Sequence, residues 1–391
     1  VADSSRGVSV VDISRFQMPV IIAQVDTPGD ARRVACSGNL IGVADGSAGL
    51  AIIDATDPPA AKVLYQLRLN GAATAVAAGG GFVFVGTDAG DVYSVDLLTG
   101  AILDQTSVSQ AVNDLSLAGD CLFVLTSQRL VTACSPFSKL SVDGEASAPG
   151  HSRLFVGNGA DACDKVAYLI KSVGYTAFDV SDPLQPRLSV TNNSGQLGWR
   201  YFAPTGSRFA LAAVGVNASE GDAFVYDMSD CTRAASFQTS FGTPGVAQAV
   251  AIFNGLGYVA DGVSGLHVVN YLAYDSGRSP PVVTIETNLN PLTVEEGKVV
   301  RVTASAKDDV QVRNVEFYLN DERMVTDGSF PFEHRFIAPR LSGGPSFRLK
   351  AKATDTGGNS AWSDEVIVQL SADVTPPQLL RTIPEANGYG A

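Results

Sequence analysis

The feature that most constrains this chain is a short phrase that recurs seven times at nearly regular intervals. Each copy is a run rich in apolar residues, usually opened by glycine and closed by aspartate or a substitute. The closing residues of the seven copies are Asp12, Asp54, Asp96, Cys134, Asp179, Asp227 and Asn270. The repeat therefore advances by 38–48 residues each time. A period near 40–45 with short alternating strands indicates one small antiparallel sheet per unit.

The second unit, residues 31–69, shows the plan of each sheet. Four β-rich runs follow one another as ARRVACSG, NLIGVAD, GLAIID and AKVLYQLRL, and glycine, asparagine, aspartate and proline separate them. Such residues form tight turns, because they tolerate or impose the backbone angles that a turn needs. Four-stranded units at this period predict the blades of a β-propeller. The sequence thus predicts an all-β fold with a seven-bladed β-propeller over residues 1–274.

The two ends of the repeat region are expected to be incomplete. Residues 1–3 (VAD) match residues 43–45 and 259–261, so the first blade begins within its second strand. The seventh unit has three strands and no convincing fourth. We expect chain upstream of Val1 to complete the first blade and close the last one, as propellers do when they seal their ring. Further upstream repeats would change the count of seven. The abrupt start, without an initiator methionine, suggests a fragment or a processed chain.

A second domain is predicted after the repeats. Residues 275–281 form a linker that ends in Ser-Pro-Pro, and residues 282–371 contain alternating runs at short spacing. These runs predict an immunoglobulin-like β-sandwich of about seven strands, although the Cys…Trp…Cys signature of antibody domains is missing. Residues 372–391 are expected to begin another such domain or a linker.

Two resemblances support these predictions. The phrases YVADGVSGLHVVN, GVADGSAGLAIID and FDVSDPLQP resemble the LVIVD-type propeller repeat of bacterial and archaeal surface proteins. The segment VEEGKVVRVTASAKDDVQVRNVEFYLNDERM and the later FRLKAKATDTGGNSAWSDEVIVQL resemble bacterial immunoglobulin-like domains. These families imply a bacterial, multidomain, secreted or cell-surface protein, in which the sandwich acts as a stalk or spacer.

Charge and hydropathy exclude several classes of partner. The net charge is −13, so the chain lacks the excess of lysine and arginine that nucleic-acid binding requires. No apolar run reaches the roughly 20 residues of a transmembrane helix. Partners are instead expected to be other surface proteins, further copies of the chain, or a glycan. An extracellular or cell-surface location follows from the resemblances.

Aspartates provide the candidate metal ligands. Asp308, Asp309 and Asp355 are candidate calcium ligands in the sandwich, since tandem immunoglobulin-like domains can be stiffened by calcium, and calcium requires six or more oxygens. No other cofactor is expected.

A further set of aspartates ends the second strands of the propeller units. These aspartates could form a ring that holds a cation, but capping of a turn by an Asx hydrogen bond is the favoured interpretation. Their positions are Asp3, Asp45, Asp88 and Asp261.

The five cysteines suggest two pairs and one free thiol. Cys121 and Cys134 flank a predicted hairpin and face each other across it, so a disulfide is sterically feasible. Cys163 and Cys231 lie in loops expected on the same propeller face and form a second candidate pair. Cys36 lies in an inner strand and is predicted to be a buried small apolar residue.

No catalytic machinery is apparent. His151, Ser152 and Asp161 are close in sequence, but no GxSxG nucleophile turn accompanies them, so no catalytic residue is assigned. The leading hypothesis is a non-catalytic structural, adhesive or protein-interaction module of a surface protein, within a filament, sheath or surface layer. The alternative is a non-catalytic scaffold region of a large secreted enzyme or toxin-like protein, whose active domain lies outside these residues.

Overall fold

The computed structural model describes residues 1–15, 17–158, 165–193, 197–215, 222–230, 233–273 and 275–374. These residues form β-strands joined by turns, loops and short 3₁₀ segments. The 3₁₀ segments span Pro58–Ala60, Gly262–Ser264 and Leu341–Gly343.

Residues 1–269 form seven successive antiparallel sheets within the described residues, which we number as blades 1 to 7. Blade 1 contains β1 (Val8–Asp12) and β2 (Val20–Val25), and blade 7 contains β23 (Ala249–Phe253), β24 (Leu256–Ala260) and β25 (Leu266–Val269).

Blades 2 to 6 each have four strands, paired in chain order. Blade 2 comprises β3 (Arg33–Ser37), β4 (Leu40–Ala44), β5 (Leu50–Asp54) and β6 (Lys62–Leu67). Blade 3 comprises β7 (Ala73–Gly79), β8 (Phe82–Thr87), β9 (Asp91–Asp96) and β10 (Ile102–Ser107). Blade 4 comprises β11 (Val112–Ala118), β12 (Cys121–Thr126), β13 (Arg129–Cys134) and β14 (Gly144–Ser147). Blade 5 comprises β15 (Arg153–Val156), β16 (Val166–Lys171), β17 (Gly174–Asp179) and β18 (Arg187–Asn193). Blade 6 comprises β19 (Trp199–Pro204), β20 (Phe209–Val214), β21 (Ala223–Asp227) and β22 (Ser236–Phe241).

The hydrophobic core of this region lies between neighbouring blades. Side chains alternate across each strand, so a central strand presents one apolar row to the blade before it and one to the blade after it. Between blades 5 and 6, the rings of Tyr175 and Phe202 stack with centroids 5.1 Å apart, and within blade 6 Trp199 packs against Tyr226 at 5.0 Å. Because both faces of these sheets are covered, the repeated phrases are almost continuously apolar rather than half polar.

Blades 1 and 7 are packed less completely than the others. The third strand of blade 2, β5, is buried at four of its five residues, whereas every residue of the equivalent β25 is only half-buried. A cavity of about 620 Å³ separates β24 from the turn after β1 and is lined by Ile13 and Tyr258. The main-chain groups of Val1 and Ser9 exchange two hydrogen bonds of 2.9 Å, and Ala2 pairs with Val8. Residues 1–3 therefore lie beside β1, where the second strand of a blade belongs.

Residues 282–371 form two facing sheets. One sheet has the order β26-β28-β31, and the other has the order β27-β34-β32-β29-β30 with β33 paired to β32. The strands are β26 (Val282–Thr287), β27 (Thr293–Glu295), β28 (Val299–Lys307), β29 (Val312–Leu319), β30 (Glu322–Asp327), β31 (Phe332–Ile337), β32 (Ser346–Asp355), β33 (Ser360–Trp362) and β34 (Val366–Ser371). The two short strands β27 and β33 account for the difference from the seven strands expected. The buried side chains of Val302, Phe317 and Phe332 lie between the sheets.

Candidate functional site

The propeller has two unlike faces. In each complete blade the innermost strand ends in a hairpin turn that leads to the second strand, and these turns share one face, which we call the hairpin face. The loops that enter the innermost strands, and the turns after the second strands, share the opposite face, which we call the loop face. The sandwich contacts the hairpin face, because side chains of β28 and β31 hydrogen-bond to the turn between β11 and β12.

An ion cluster holds the sandwich on the hairpin face. Asp120 accepts hydrogen bonds from Arg301 Nη2 at 3.1 Å and from Arg335 Nη1 at 3.0 Å. The Arg335 guanidinium also lies over the ring of Phe137, 4.6 Å from its centroid. Burial raises the pKa of Asp120, but the hydrogen bonds and charges of the two arginines outweigh it and leave that pKa below its usual value. The carboxylate therefore stays ionised at neutral pH and binds both domains together.

Hairpin turns of further blades extend this contact. Asn158 Nδ2 donates to Glu333 Oε2 at 2.8 Å, and Asn254 N donates to Gly328 O at 2.9 Å. At Gly206 an added Cβ would lie 2.2 Å from the ring of Phe330, so a side chain there would collide with this residue of the sandwich. The linker between the domains is thus accompanied by an extensive direct interface.

The aspartates that end the second strands have structural partners on the loop face. Asp45 is fully buried, and its carboxylate accepts hydrogen bonds from Thr27 Oγ1 at 2.7 Å and Gly29 N at 3.0 Å. Asp261 is also fully buried and accepts from Thr243 Oγ1 at 2.5 Å and Gly245 N at 2.7 Å. Each carboxylate thus binds the Thr-Pro-Gly loop that enters the blade. We call these two arrangements the clasps.

Of the other two aspartates that end second strands, Asp88 also binds a loop, whereas Asp3 forms an ion pair near the surface. Asp88 Oδ1 accepts from Ala72 N at 2.8 Å, again in the loop before an inner strand, and Asp3 pairs with Arg6 at 2.9 Å. The favoured turn-capping interpretation placed the partner within the same hairpin. The structure instead uses the preceding loop, because that loop passes directly over the end of the second strand.

A cavity of about 1000 Å³ opens among the inner strands and reaches the gap between blades 1 and 7. Its lining includes Arg33, Arg153, Tyr201, Gln248 and Tyr258. Arg33, Arg153 and Gln248 lie at or next to the start of an inner strand, and therefore near the loop face.

Several polar groups around this cavity connect successive blades. Thr74 Oγ1 donates to Val112 O at 2.5 Å, and Asn113 Nδ2 donates to His151 O at 2.8 Å. Asp114 accepts from Leu154 N at 3.0 Å; burial raises the pKa of this carboxyl to about 6, opposed by the charge of Arg33 and by backbone hydrogen bonds. These groups have partners within the protein, so their role is to hold the inner strands in register.

Three arginines differ from these satisfied groups. Arg33 donates to Arg32 O at 2.6 Å, Arg153 to Ser152 O at 3.0 Å, and Arg200 to Gln248 Oε1 at 3.0 Å. Each of these acceptors is neutral, and no ion pair of these three arginines occurs within the described part of the chain. The three arginines come from different blades and share no local motif, so no sequence pattern points to this group.

The calcium candidates are rearranged in the structure. One carboxylate oxygen each from Asp275, Asp308 and Asp309 lie within 4.8 Å of one another, so Asp275 takes the place expected for Asp355. Both oxygens of Asp355 instead accept hydrogen bonds from Asn359, at 2.8 Å from N and 2.9 Å from Nδ2. The sequence analysis missed Asp275 because it lies in the predicted linker, far along the chain from the other two.

The cysteines have three different outcomes. Cys121 and Cys134 are paired across the β12–β13 hairpin and form a disulfide. Cys163 and Cys231 lie outside the described residues. The expectation that Cys36 is buried is wrong, since it is exposed and borders a cavity of about 660 Å³ between propeller and sandwich. Among the described residues the sheet of blade 1 has only β1 and β2, so no inner strand of blade 1 lies beside β3.

His151 and Ser152 both have structural contacts. His151 is buried, with Nδ1 3.2 Å from Ala148 O and Nε2 2.9 Å from Thr176 Oγ1. Burial lowers the pKa of this imidazole. Ser152 Oγ donates to Ile170 O at 3.4 Å, and Asp161 lies outside the described residues. No helix among the described residues is long and apolar enough to cross a membrane.

Family models match two parts of the chain. Residues 28–62 match the LVIVD repeat, and residues 281–346 match a bacterial Ig domain. Both suspected resemblances are therefore confirmed. A comparison with curated proteins finds no match.

Solved structures support the propeller fold. One similar structure is a chain of the mitotic checkpoint complex, with TM-score 0.52 and 11% identity over 68% of this chain and 84% of that one. Another is that of the RRP9 WD40 repeats, with TM-score 0.50 and 11% identity over 63% of this chain and 77% of that one. At such low identity the likeness concerns the fold alone. Together with the sheets described above, these matches confirm the all-β propeller and immunoglobulin-like fold.

Proposed function

We propose that this chain is a non-catalytic, extracellular interaction or adhesion module of a surface protein, and that its propeller binds an acidic partner at the loop face. The observation that carries this proposal is a set of three arginines: Arg33 and Arg153 line the inner-strand cavity, and Arg200 donates to Gln248 in its wall. The sandwich occupies the hairpin face, so the loop face is the propeller surface left for a partner.

The chemistry of the arginines favours an acidic ligand. A guanidinium recognises carboxylate, sulfate or phosphate oxygens through paired hydrogen bonds. Here three guanidinium groups form no ion pair within the described residues, in a chain whose net charge is −13. Acidic side chains of another surface protein, or the uronate and sulfate groups of a glycan, supply the matching charge.

The proposal that the site is non-catalytic rests on the polar groups around the cavity. Thr74, Asn113 and Asp114 are engaged in hydrogen bonds between blades, as described above. His151 is likewise held by Ala148 and Thr176. The engagement of these groups in contacts within the protein supports a structural role for them.

Binding to defined polyanions tests the proposal. The purified chain is applied to immobilised polygalacturonate, heparin and neutral dextran, and binding is followed by biolayer interferometry at increasing salt. We expect binding to at least one polyanion and not to dextran, with an affinity at least about 10-fold weaker in the double variant Arg33→Gln/Arg153→Gln. Arg187→Gln, on the exposed outer strand β18, is the matched control and should bind like the native protein.

Two results would refute the proposal. Equal binding by native protein and the double variant would exclude the arginine site. Clear turnover of hydrolase or redox substrates by the purified chain would show that the module is catalytic.

A further inference from the structure

The segment that follows the propeller meets a turn of the sandwich through carboxylates. Asp275 lies between β25 and β26, and Asp308 and Asp309 lie in the turn between β28 and β29. One oxygen atom from each of the three carboxylates lies within 4.8 Å of the other two. We call this group the acidic junction. Charges so close repel one another, and more strongly when they are removed from water.

Part of the acidic junction is buried without a compensating partner. Asp275 is only 2% exposed; its Oδ1 accepts from Gly277 N at 2.8 Å, but its Oδ2 has no hydrogen-bond donor among the described residues. Asp308 Oδ2 accepts from Val310 N and Gln311 N, each at 2.9 Å, whereas its Oδ1 is buried and likewise lacks a donor there. No ion pair with lysine, arginine or histidine engages these carboxylates within the described residues.

Two more oxygens without donors lie on the adjoining turns. Gln311 is 1% exposed and its Nε2 donates to Tyr271 Oη at 2.6 Å, while its Oε1 has no partner in the described part of the chain. The buried Thr356 Oγ1 also lacks one, and Thr356 N donates to Gln311 O at 3.2 Å, which places the two turns side by side. Buried polar atoms are nearly always satisfied in folded proteins, so such a concentration of orphan oxygens indicates a ligand.

The backbone approaches closely at this point. A Cβ added to Gly357 would lie 2.8 Å from Asp275 O and 3.2 Å from Asp275 Oδ2. The turn after β32 therefore presses its main chain against the linker, and no larger residue fits there. Asp275 is thus fixed against the sandwich although it belongs to the segment between the domains.

We propose that the acidic junction binds a calcium ion, which attaches the linker to the sandwich. Calcium prefers hard oxygen ligands, tolerates irregular geometry and takes six to eight of them. The metal ligands available here are carboxylate, amide and hydroxyl oxygens. The thiolate and imidazole groups that zinc favours are not part of the cluster. The bound cation neutralises the repulsion between the three carboxylates and fixes the linker beside the sandwich turn.

Calcium titration tests this assignment. The chain is treated with EDTA, desalted and titrated with CaCl₂ by isothermal titration calorimetry, with MgCl₂ in parallel. The comparison includes Asp275→Asn, Asp309→Asn and the control Asp364→Asn, which alters an exposed carboxylate elsewhere in the sandwich. We expect one calcium site in the native protein and the control, and an affinity at least about 10-fold weaker in both junction variants.

Thermal unfolding and proteolysis provide a second readout. Calcium should raise the melting temperature of the native protein by a few degrees and slow cleavage of residues 275–281, with neither effect in the junction variants. The surface position of Asp309 keeps its variant informative if Asp275→Asn folds poorly. Absence of binding heat and of a melting shift at millimolar calcium would overturn the proposal, as would native-like calcium affinity in Asp309→Asn.

Discussion

The clasps of the propeller and the acidic junction both bury aspartates, yet their surroundings are opposite. Each clasp carboxylate receives two hydrogen bonds, from a threonine hydroxyl and a glycine N–H of the same loop. At the junction, three carboxylates crowd together and two of their buried oxygens have no donor among the described residues. The hydrogen-bond donors around a buried aspartate therefore indicate its role. The clasp carboxylates are satisfied by the protein and stabilise the fold by themselves, whereas the junction carboxylates need a cation to compensate their charge.

The largest expected effect comes from breaking a clasp. Asp45→Ala leaves Thr27 Oγ1 and Gly29 N buried without their acceptor. Loss of two hydrogen bonds to a charged group should lower the free energy of unfolding by about 4 kcal/mol. Urea denaturation measures this loss of free energy of unfolding. The loss should be the same in calcium and in EDTA. The control Asp57→Ala alters an exposed turn residue and should have little effect; a similar loss in both variants would contradict the clasp.

The disulfide of blade 4 should come second. Cys121 and Cys134 are 13 residues apart, and a covalent loop of this length stabilises a fold by about 3 kcal/mol through the entropy of the unfolded chain. The double variant Cys121→Ala/Cys134→Ala should lose this amount, again without calcium dependence. Denaturation of the native protein with a reducing agent should reproduce the loss. No difference between oxidised and reduced protein would show that the pair contributes nothing.

The interface between the domains should give a smaller effect that depends on pH. Asp120→Ala leaves Arg301 and Arg335, only 12% and 10% exposed, without their carboxylate. Asp120 itself is 39% exposed, so we expect a loss of about 2 kcal/mol at pH 7.

The pH dependence of this loss follows from the lowered pKa of Asp120. In the unfolded chain the group titrates near 3.8, and in the native protein it titrates at lower pH. Its contribution is therefore complete above pH 3.8 and is lost as the pH falls through the native pKa. Melting temperatures of native protein and Asp120→Ala should converge as the pH is lowered through the native pKa of Asp120. A constant difference across this range would contradict the ion cluster.

The smallest predicted change has the opposite sign. In EDTA, Asp275→Asn removes one of three crowded charges and provides an amide that can donate to a neighbouring carboxylate. The free energy of unfolding should rise by about 1 kcal/mol, whereas calcium should reverse the order of the native protein and the variant. Thermal unfolding in both buffers measures this reversal. Destabilisation in EDTA would place Asp275 with the clasp aspartates, and the comparison between the two regions would fail.

Much of the fold was predictable because it follows from local sequence patterns that repeat along the chain. The phrases ending at Asp54 and Asp96 alternate as strands do, and glycine and proline separate them, so each blade follows from short-range rules. The pairing of Cys121 with Cys134 was also accessible, since both lie in one hairpin. Cys36 was misassigned, because strand pattern alone does not tell whether an inner strand has a neighbour on both faces.

The candidate sites were less predictable for the same reason. Arg33, Arg153 and Arg200 come from three blades, and only closure of the propeller brings their strands around one cavity. Asp355 was predicted as a calcium ligand because it lies within the sandwich pattern, but its own turn satisfies both of its oxygens.

The sequence by itself determined the repeat, the all-β class, the change of pattern near residue 275 and the aspartates that end the second strands, because each depends on neighbours within a few residues. Only the tertiary structure decided that the sandwich covers the hairpin face, that Asp275 joins Asp308 and Asp309, and that the clasp aspartates are satisfied. These features depend on which distant surfaces come into contact. Hydrophobic burial and charge pairing between whole domains determine those contacts, and local backbone preference does not.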